Sequence, residues 1–451
     1  LSTTPIDPTS PLAPEPAPSQ TTSHRLSRIY TDWQQKYSVT TNADVRFVYA
    51  DTLLDEQFDL DATIKGRVVR ANLYEEAATN FLGQLTRSIE FAYNHGDGLD
   101  DFVQRQETHY DYFPVPADRW VLNRIHHRHQ HFMRPGQITQ TRSTEFAYHP
   151  TSYLLSSQQH TASNDVRQLT TSWLRDAMGN ITRSTVTGTD ISPARISESR
   201  YDNLGRWVDQ EYAQLFNPDT GLSQLELLSE VTQRDRYGNP QLSYDQQRLS
   251  TRAVYDAMGR LYYRWSPTGA WQRETLSNGS TANCPAGTAF YSTTDSTAPN
   301  GIYAGRSLSP QQTHCYDIAG RVTRTVTNNQ NAGELVYQDS LFDISGRVLS
   351  QSIPLSRAPN PTLNHDWLRS SYDELGRETL RRLPDGSLTS TQYTELETKV
   401  INPRGYSSST ATNILGEVIW TEDGNLQFTT FVYDALGNQT HIDGPLPGSI
   451  D

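Results

Sequence analysis

The stretch YDNLGRW, Tyr201–Trp207, reads as a tight turn between two strands. Nearly the same residues return as YDAMGRL from Tyr255, YDIAGRV from Tyr316, YDELGRE from Tyr372 and YDALGNQ from Tyr433. RDAMGNI from Arg175, RDRYGNP from Arg234, FDISGRV from Phe342 and TNILGEV from Thr412 are looser copies, making nine turn units in all. The order Asp-x-x-Gly suits a type I turn, with Asp at its first position and Gly at its fourth. The Asp side chain can accept hydrogen bonds from amides two or three residues on, and so fix the turn. Gly can take a positive φ there, forming the bulge that restores strand twist after a type I hairpin turn. Tyr ends the incoming strand and Arg or Asn opens the outgoing one. The alternation in RVTRTVT from Arg321 has the period of two of a half-buried strand.

The turn glycines are Gly179, Gly205, Gly238, Gly259, Gly320, Gly346, Gly376, Gly416 and Gly437, and the shortest separation, from Gly238 to Gly259 and from Gly416 to Gly437, is 21 residues. A second turn signal often follows about ten residues later: SPTGA around Gly269, LPDGS around Gly386 and EDGN around Gly424. A period near 20 therefore divides into two strands and two turns. The residue before the glycine is usually apolar (Met178, Leu204, Met258, Ala319, Leu375, Leu415, Leu436), whereas exposed loop tips are normally polar. This predicts that each tip packs on its neighbour, with the tyrosine ring supplying part of the contact.

The 451 residues allow two or three domains, or one repeat array. Three segments stand out. Residues 1–24, with six prolines, read as an extended arm or linker; 25–165 as a β-rich region with degenerate repeats, placed to cap the array; and 166–451 as the array itself. In the middle region GQLTRSIEFAY from Gly83 and GQITQTRSTEFAY from Gly136 look like copies of one strand unit. The 24 tyrosines and 8 tryptophans against 3 methionines favour strands over helices. A net charge of −13 argues against nucleic acid as a partner, since phosphate binding needs a basic face. No apolar run approaches the roughly 18 residues of a membrane span. The chain opens on Leu1 rather than Met, as a processed product or a fragment would.

The two cysteines, Cys284 and Cys315, flank a Gly/Ser/Thr/Asn-rich insert. They are either a disulfide stapling the insert at its base, contributing roughly 3–4 kcal/mol in the chain-entropy model, or two free thiols. In RIHHRHQHF, a strand would place His127, His129 and His131 on one face and His126 on the other. Three imidazoles on a face suit Zn²⁺ or Cu²⁺. The neighbouring Arg124, Arg128 and Arg134 oppose a cation, so no metal is expected. Asp97, Asp100 and Asp101 in NHGDGLDDF have the oxygen chemistry of a Ca²⁺ loop without an EF-hand pattern, and read as an acidic turn. Asn180, Asn278 and Asn438 stand in glycosylation sequons that read as chance matches. Trp207, Trp265, Trp271 and Trp420 lie in or near repeat strands, either as packing residues or as stacking platforms for sugars. No phosphate loop, nucleophile elbow or His-Glu-x-x-His motif is found, so neither an enzyme nor a cofactor is expected.

The array from about 175 to 440 resembles the YD-repeat or Rhs-repeat family, which includes bacterial Rhs and wall-associated proteins, the B and C components of Tc insecticidal toxins, and animal teneurins. IKGRVVRANLYEE from Ile64 resembles, more weakly, the region preceding the repeats in Tc-toxin-B-like proteins. The resemblance implies an all-β fold: a spiralling antiparallel sheet of stacked hairpins, forming an open or partial shell or tube. It also makes the turn residues structural: Tyr201, Asp202, Gly205 and Arg206; Tyr255, Asp256, Gly259 and Arg260; Tyr316, Asp317, Gly320 and Arg321; Tyr372, Asp373, Gly376 and Arg377; Tyr433, Asp434 and Gly437. TNILGEV and RDRYGNP depart from the pattern, and the Asp-Pro-x-Gly end that precedes toxin cleavage in Rhs proteins is not found. A repeat sheet exposes unpaired backbone at its ends, which the chain itself, a partner chain or another copy must cover. The expectation is a secreted or cell-surface bacterial structural protein, a shell, surface or filament subunit that assembles with itself or with other YD-repeat segments. The alternatives are a Tc/Rhs-type toxin-encapsulating or delivery component, and an adhesion module for glycans or cell surfaces.

Overall fold

The structure, a computed structural model, describes residues 27–37, 46–59, 64–74, 83–94, 96, 102–116, 120–162, 167–217, 221–297, 311–328, 334–357 and 366–445. The Pro-rich stretch 1–24 and the acidic residues Asp97, Asp100 and Asp101 lie outside them. The fold is all-β, as expected. Thirty-one strands, from β1 (Ser27–Tyr37) to β31 (Gln439–Asp443), form one open antiparallel sheet, and the described residues contain no helix. No helix is therefore long and apolar enough to cross a membrane, which says nothing of a β-barrel. Strands adjacent in sequence pair with one another, the arrangement that short hairpin turns enforce. The exception is around β21 (Leu335–Phe342), where the next strand, residues 348–352, also pairs past its neighbour with residues 367–369. The Leu335–Tyr337 half of β21 pairs with β23 (Leu355–Arg357), and its Ser340–Phe342 half with β22 (Val348–Ser352). Fully buried apolar side chains are few among the described residues, and most strand residues are half-buried. Cohesion therefore falls largely on strand ladders and cross-strand pairs.

Two compact units divide the chain. The first gathers 1–172, 186–192 and 391–451. Its apolar centre is Ile89, Phe91 and Tyr93 on one face of β4 (Leu85–Asn94), packed with Val69 of β3 (Ile64–Tyr74) and with Phe102. The Arg67 guanidinium lies over the Tyr93 ring and that of Arg105 over the Phe91 ring, so two cations cover the cluster. The other face of β4 meets residues from the end of the chain. Ile414 N donates to Asn94 Oδ1 at 3.0 Å, and the Ile414 side chain sits against Gly66. A Cβ at Gly66 would lie 2.5 Å from Tyr93 O and 2.7 Å from Ile414 Cδ1, so only a hydrogen fits. Three more polar contacts tie the same parts together: Glu395 N to buried Asp59 Oδ2 at 2.9 Å, Arg134 to Glu417 at 2.7 Å, and Gln137 Nε2 to Tyr433 O at 2.7 Å. These partners are between 283 and 336 residues apart in sequence.

The second unit comprises 173–185 and 193–390. Its best-buried patch surrounds Cys315 on β19 (Gln312–Tyr316), Val326 on β20 (Val322–Asn328) and Tyr337 on β21. Cys284 and Cys315 form a disulfide with their Cα atoms 5.7 Å apart. It lays the segment around Asn283 on the sheet face. There Asn283 O accepts from Arg324 at 3.0 Å, and Asn283 Oδ1 accepts from the Tyr337 hydroxyl at 3.0 Å. The Arg324 guanidinium also pairs through two nitrogens with Asp339, an arrangement with fixed geometry. The Gly/Ser/Thr/Asn-rich insert is not all loop: Phe290–Thr297 forms β18, paired on both sides with β17 (Trp271–Asn278) and β19. Its Thr and Ser side chains suit a strand as well as a linker, which composition alone does not separate.

Candidate functional site

The recurring turns share one geometry. In the Asp317 turn, Gly320 N donates to Asp317 O and Asp317 N to Arg321 O, each at 3.0 Å. Asp317 Oδ1 accepts from the amides of Ala319 and Arg321, each at 2.9 Å, while Oδ2 accepts from Arg321 Nε at 2.7 Å. The carboxylate thus holds amides two and four residues on, rather than the two or three expected. The ladder slips by one residue at Tyr316, which faces Val322, and this is the bulge. All nine turn glycines take positive φ, between 65° and 94°. The same carboxylate–guanidinium clamp joins Asp202 to Arg206, Asp256 to Arg260, Asp343 to Arg347 and Asp373 to Arg377. Asp434 is clamped instead by the Asn438 side-chain amide at 3.0 Å.

The guanidinium also reaches the next hairpin. Arg347 Nη1 donates to Asp373 O at 2.8 Å, and its carbon lies 5.1 Å from the centre of the Tyr372 ring. The Tyr372 hydroxyl returns a hydrogen bond to Val348 O at 2.8 Å. Arg321 repeats the pattern on Asp343 O and the Phe342 ring, at 3.1 and 4.9 Å. Asn180 replaces it with a hydrogen bond from its side-chain Nδ2 to Gly205 O at 2.9 Å, and Tyr201 donates to Ile181 O. At these three junctions neighbouring turns are therefore cross-linked by the residue after the glycine and, at two of them, by the tyrosine before the aspartate. Most of the apolar tips add little to this. Met178, Leu204 and Met258 are 65%, 58% and 79% exposed, Ala319 and Leu415 are exposed, and only Leu375 and Leu436 are half-buried. Met178 does reach its neighbour, since its sulfur lies where a Cβ on Gly205 of the next turn would stand, but Leu204, Met258, Ala319 and Leu415 stay exposed at the turn apex.

The departures are informative. YDNLGRW is one residue longer than the rest: Asp202 N donates to Trp207 O, and the Arg206 guanidinium lies 4.0 Å from the Trp207 ring centre. That indole lies where a Cβ on Gly238 of the following unit would stand, so Gly238 is required both by φ 90° and by its neighbour. In the looser copies Arg175 and Arg234 occupy the tyrosine position and donate to the carbonyl of their own turn glycine. In TNILGEV, Asn413 takes over the aspartate role toward the amides of Leu415 and Glu417, and donates to the Glu417 carboxylate at 2.7 Å. Three further turns share this chemistry; two of them, at Asp245 and Asn402, went unrecognised in the sequence. Asp245 and Asp423 hold the amides two and four residues on, with Arg248 and Leu426 at the positive-φ position. Asn402 does the same with Gly405. The Tyr-Asp pair of YDQQRL was a usable signal for the first. In the EDGN turn the positive φ falls on Leu426, two residues after Gly424.

Other chemistry is placed as follows. Trp265 and Trp271 face each other across a hairpin, both close to the Tyr263 ring, and Trp420 packs on Phe428. All four tryptophans considered for sugars are half-buried. The sequon residues Asn180 and Asn438 use their amides within turns, and Asn278 ends β17. The histidines lie on β6 (Ile125–Met133), but His126 and His127 approach each other and Glu145, a grouping with metal-ligand spacing. On the other face of these strands a cleft of about 490 Å³ is lined by Arg128, Arg142, Arg167, His160 and Asp190. Burial, with Arg128 second, lowers the His160 pKa. Burial raises that of Tyr112 to about 12.

Two outcomes follow from the turn chemistry. The amide of the arginine four residues on, aided by its guanidinium, holds the carboxyls of Asp256, Asp317 and Asp343 below the usual carboxylate range. A folded pKa below the unfolded one gives stability that is complete above the unfolded value of about 3.9, and that is lost as pH falls through the folded value. Urea midpoints should hold steady from pH 7 to 5 in this respect and fall below about pH 4. Asp317→Asn, which keeps the acceptor without the charge, should show a shallower fall; an identical fall would remove the turns from the acid response. Separately, Leu426→Gly should stabilise by about 0.5–1 kcal/mol, because Leu426 is exposed and strained at φ 63°. A lower urea midpoint would contradict this.

Neither a family model nor a curated protein matches the chain. Solved structures do match its fold. TcdB2-TccC3 without its hypervariable C-terminal region superposes with a TM-score of 0.65 over 93% of this chain, at 10% identity. The TcdB2-TccC3-Cdc42 structure gives 0.67 over 93%, also at 10% identity. The TcdB2-TccC3-TEV structure gives 0.66 over 93%, at 11%. This chain spans 30% of the length of each of those chains. In fold, this chain is similar to about a third of the TcdB2-TccC3 structures.

Proposed function

We propose that this chain is a wall segment of a Tc/Rhs-type shell or delivery component, acting outside the cell and without catalysis of its own. The observation that carries this reading is the superposition of 93% of the chain on TcdB2-TccC3. The turn chemistry supports the structural half. Asp317, Arg321, Arg347 and Tyr372 each bond backbone amides or carbonyls, the pattern expected of residues that build the wall. Because the chain matches 30% of the length of those structures, its partners in this reading are further wall segments, from the same protein or from other chains of the assembly. The toxin-delivery reading takes precedence over a free-standing surface or filament subunit because the superposed structures are toxin assemblies.

The test is electron microscopy of the native protein that contains this chain, together with protease treatment of the intact particle. A hollow particle should appear, with a co-purifying polypeptide that resists protease until the wall is unfolded. A fibre, or a particle with no protected polypeptide, would overturn the reading.

A further inference from the structure

Strict alternation along β6 would turn His126 away from His127. A bulge prevents this. On β5 (Gln104–Tyr112), Asp111 faces His127 and Tyr112 faces Ile125, so His126 is the extra residue of the longer strand. Its ring comes to 3.8 Å from the His127 ring, centre to centre, and rests on Phe113 at 4.3 Å. On the other side, β7 (Gln140–Tyr148) sets Glu145 directly opposite His127. Glu145 Oε1 lies 3.9 Å from His127 Nε2 and 4.0 Å from His126 Nε2. One ligand atom from each of the three residues falls within 4.8 Å of the others.

We propose that His126, His127 and Glu145 form a binding site for a divalent transition-metal ion of the Zn²⁺ class. Two imidazoles and one carboxylate are a borderline donor set that suits Zn²⁺ better than Ca²⁺ or Mg²⁺. A tetrahedral ion with ligands about 2 Å away needs donors roughly 3.3 Å apart, so the three side chains close by about an ångström. All three are partly exposed, which leaves them free to do so and leaves the ion a way in. The fourth position falls to water or to Asp111, the exposed partner of His127 on β5.

The arginines that argue against a cation in the sequence are engaged elsewhere. Arg128 alternates to the opposite face, where it donates to Thr144 Oγ1 and lines the cleft. Arg134 is nearly buried against Glu417 and Gln104. Arg124 stacks on Phe113 and Tyr153 and donates to Pro114 O. Of the remaining histidines on this strand, His129 is hydrogen-bonded to Ser143 and His131 packs edge-on to His109. An ion held by His126 and His127 on one strand and Glu145 on the next would clip β6 to β7 at the bulge.

The test is calorimetric titration of Zn²⁺ into the untagged, chelator-stripped protein, followed by Co²⁺ absorption spectroscopy. Saturable binding near the micromolar range is expected, with a visible Co²⁺ band that Zn²⁺ abolishes. His127→Ala should weaken binding at least tenfold and Glu145→Gln severalfold, while His131→Ala leaves it unchanged. Glu145 is exposed, so its substitution reads the site even if His127→Ala does not fold. Non-saturating uptake, or binding that neither His127→Ala nor Glu145→Gln weakens, would overturn the assignment.

Discussion

A side chain held between two hairpins, a guanidinium at Arg321 and Arg347, is the contact on which adjacent repeat turns depend. Each turn could form alone from its Asp-x-x-Gly chemistry, but an isolated two-stranded hairpin is marginal in water. With so few fully buried apolar side chains, the sheet cannot rely on a thick hydrophobic core to order its units. Arg347 shows the solution. It neutralises Asp343 in its own turn, stacks on the ring of Tyr372 and bonds the backbone of Asp373 in the next. One side chain thereby fixes turn geometry, hairpin spacing and register. The groups involved are charged or polar and half-buried, so they strengthen one another without the full desolvation cost of a buried ion pair.

How much of this the sequence disclosed depended on how local the cause was. The nine turns were legible because Asp at the first position and Gly at the fourth act within five residues. Arg248 and Leu426 escaped because pairing on both sides of a hairpin can force a positive φ on a residue that would not choose it. The apolar tips misled in part for a related reason: Met178 does reach Gly205 of the next turn, but the apex geometry exposes Met258 whatever its chemistry. The histidines on β6 were visible, but not their grouping. The bulge at His126 is set by register with β5, which the sequence of β6 does not contain. Nothing local announces that Arg134 will find Glu417, nor that Gly66 must be small to admit Ile414.

The first unit adds a second kind of cohesion. There the contacts of Asn94, Asp59, Arg134 and Gln137 with residues 395–433 bring together parts of the chain that the turn ladder alone would leave apart. A wall of stacked turns has exposed backbone at each limit, and capture of the late repeats by the early strands is one physical means of covering it. This fits the proposed role as a shell segment, in which the turns set the wall and the long-range polar contacts set where its parts meet. The proposed metal clip at β6 and β7 would act in the same part of the molecule, on a strand whose bulge interrupts the regular ladder.

The central claim is that adjacent turns are energetically coupled through the arginine–tyrosine contact. A double-mutant cycle between Arg347→Ala and Tyr372→Ala, read by urea unfolding, tests it most directly. The account predicts a coupling of about 0.5–1 kcal/mol, so that the double variant loses less than the sum of the single losses. Strict additivity within about 0.3 kcal/mol would show that the turns merely lie side by side, and would contradict the account.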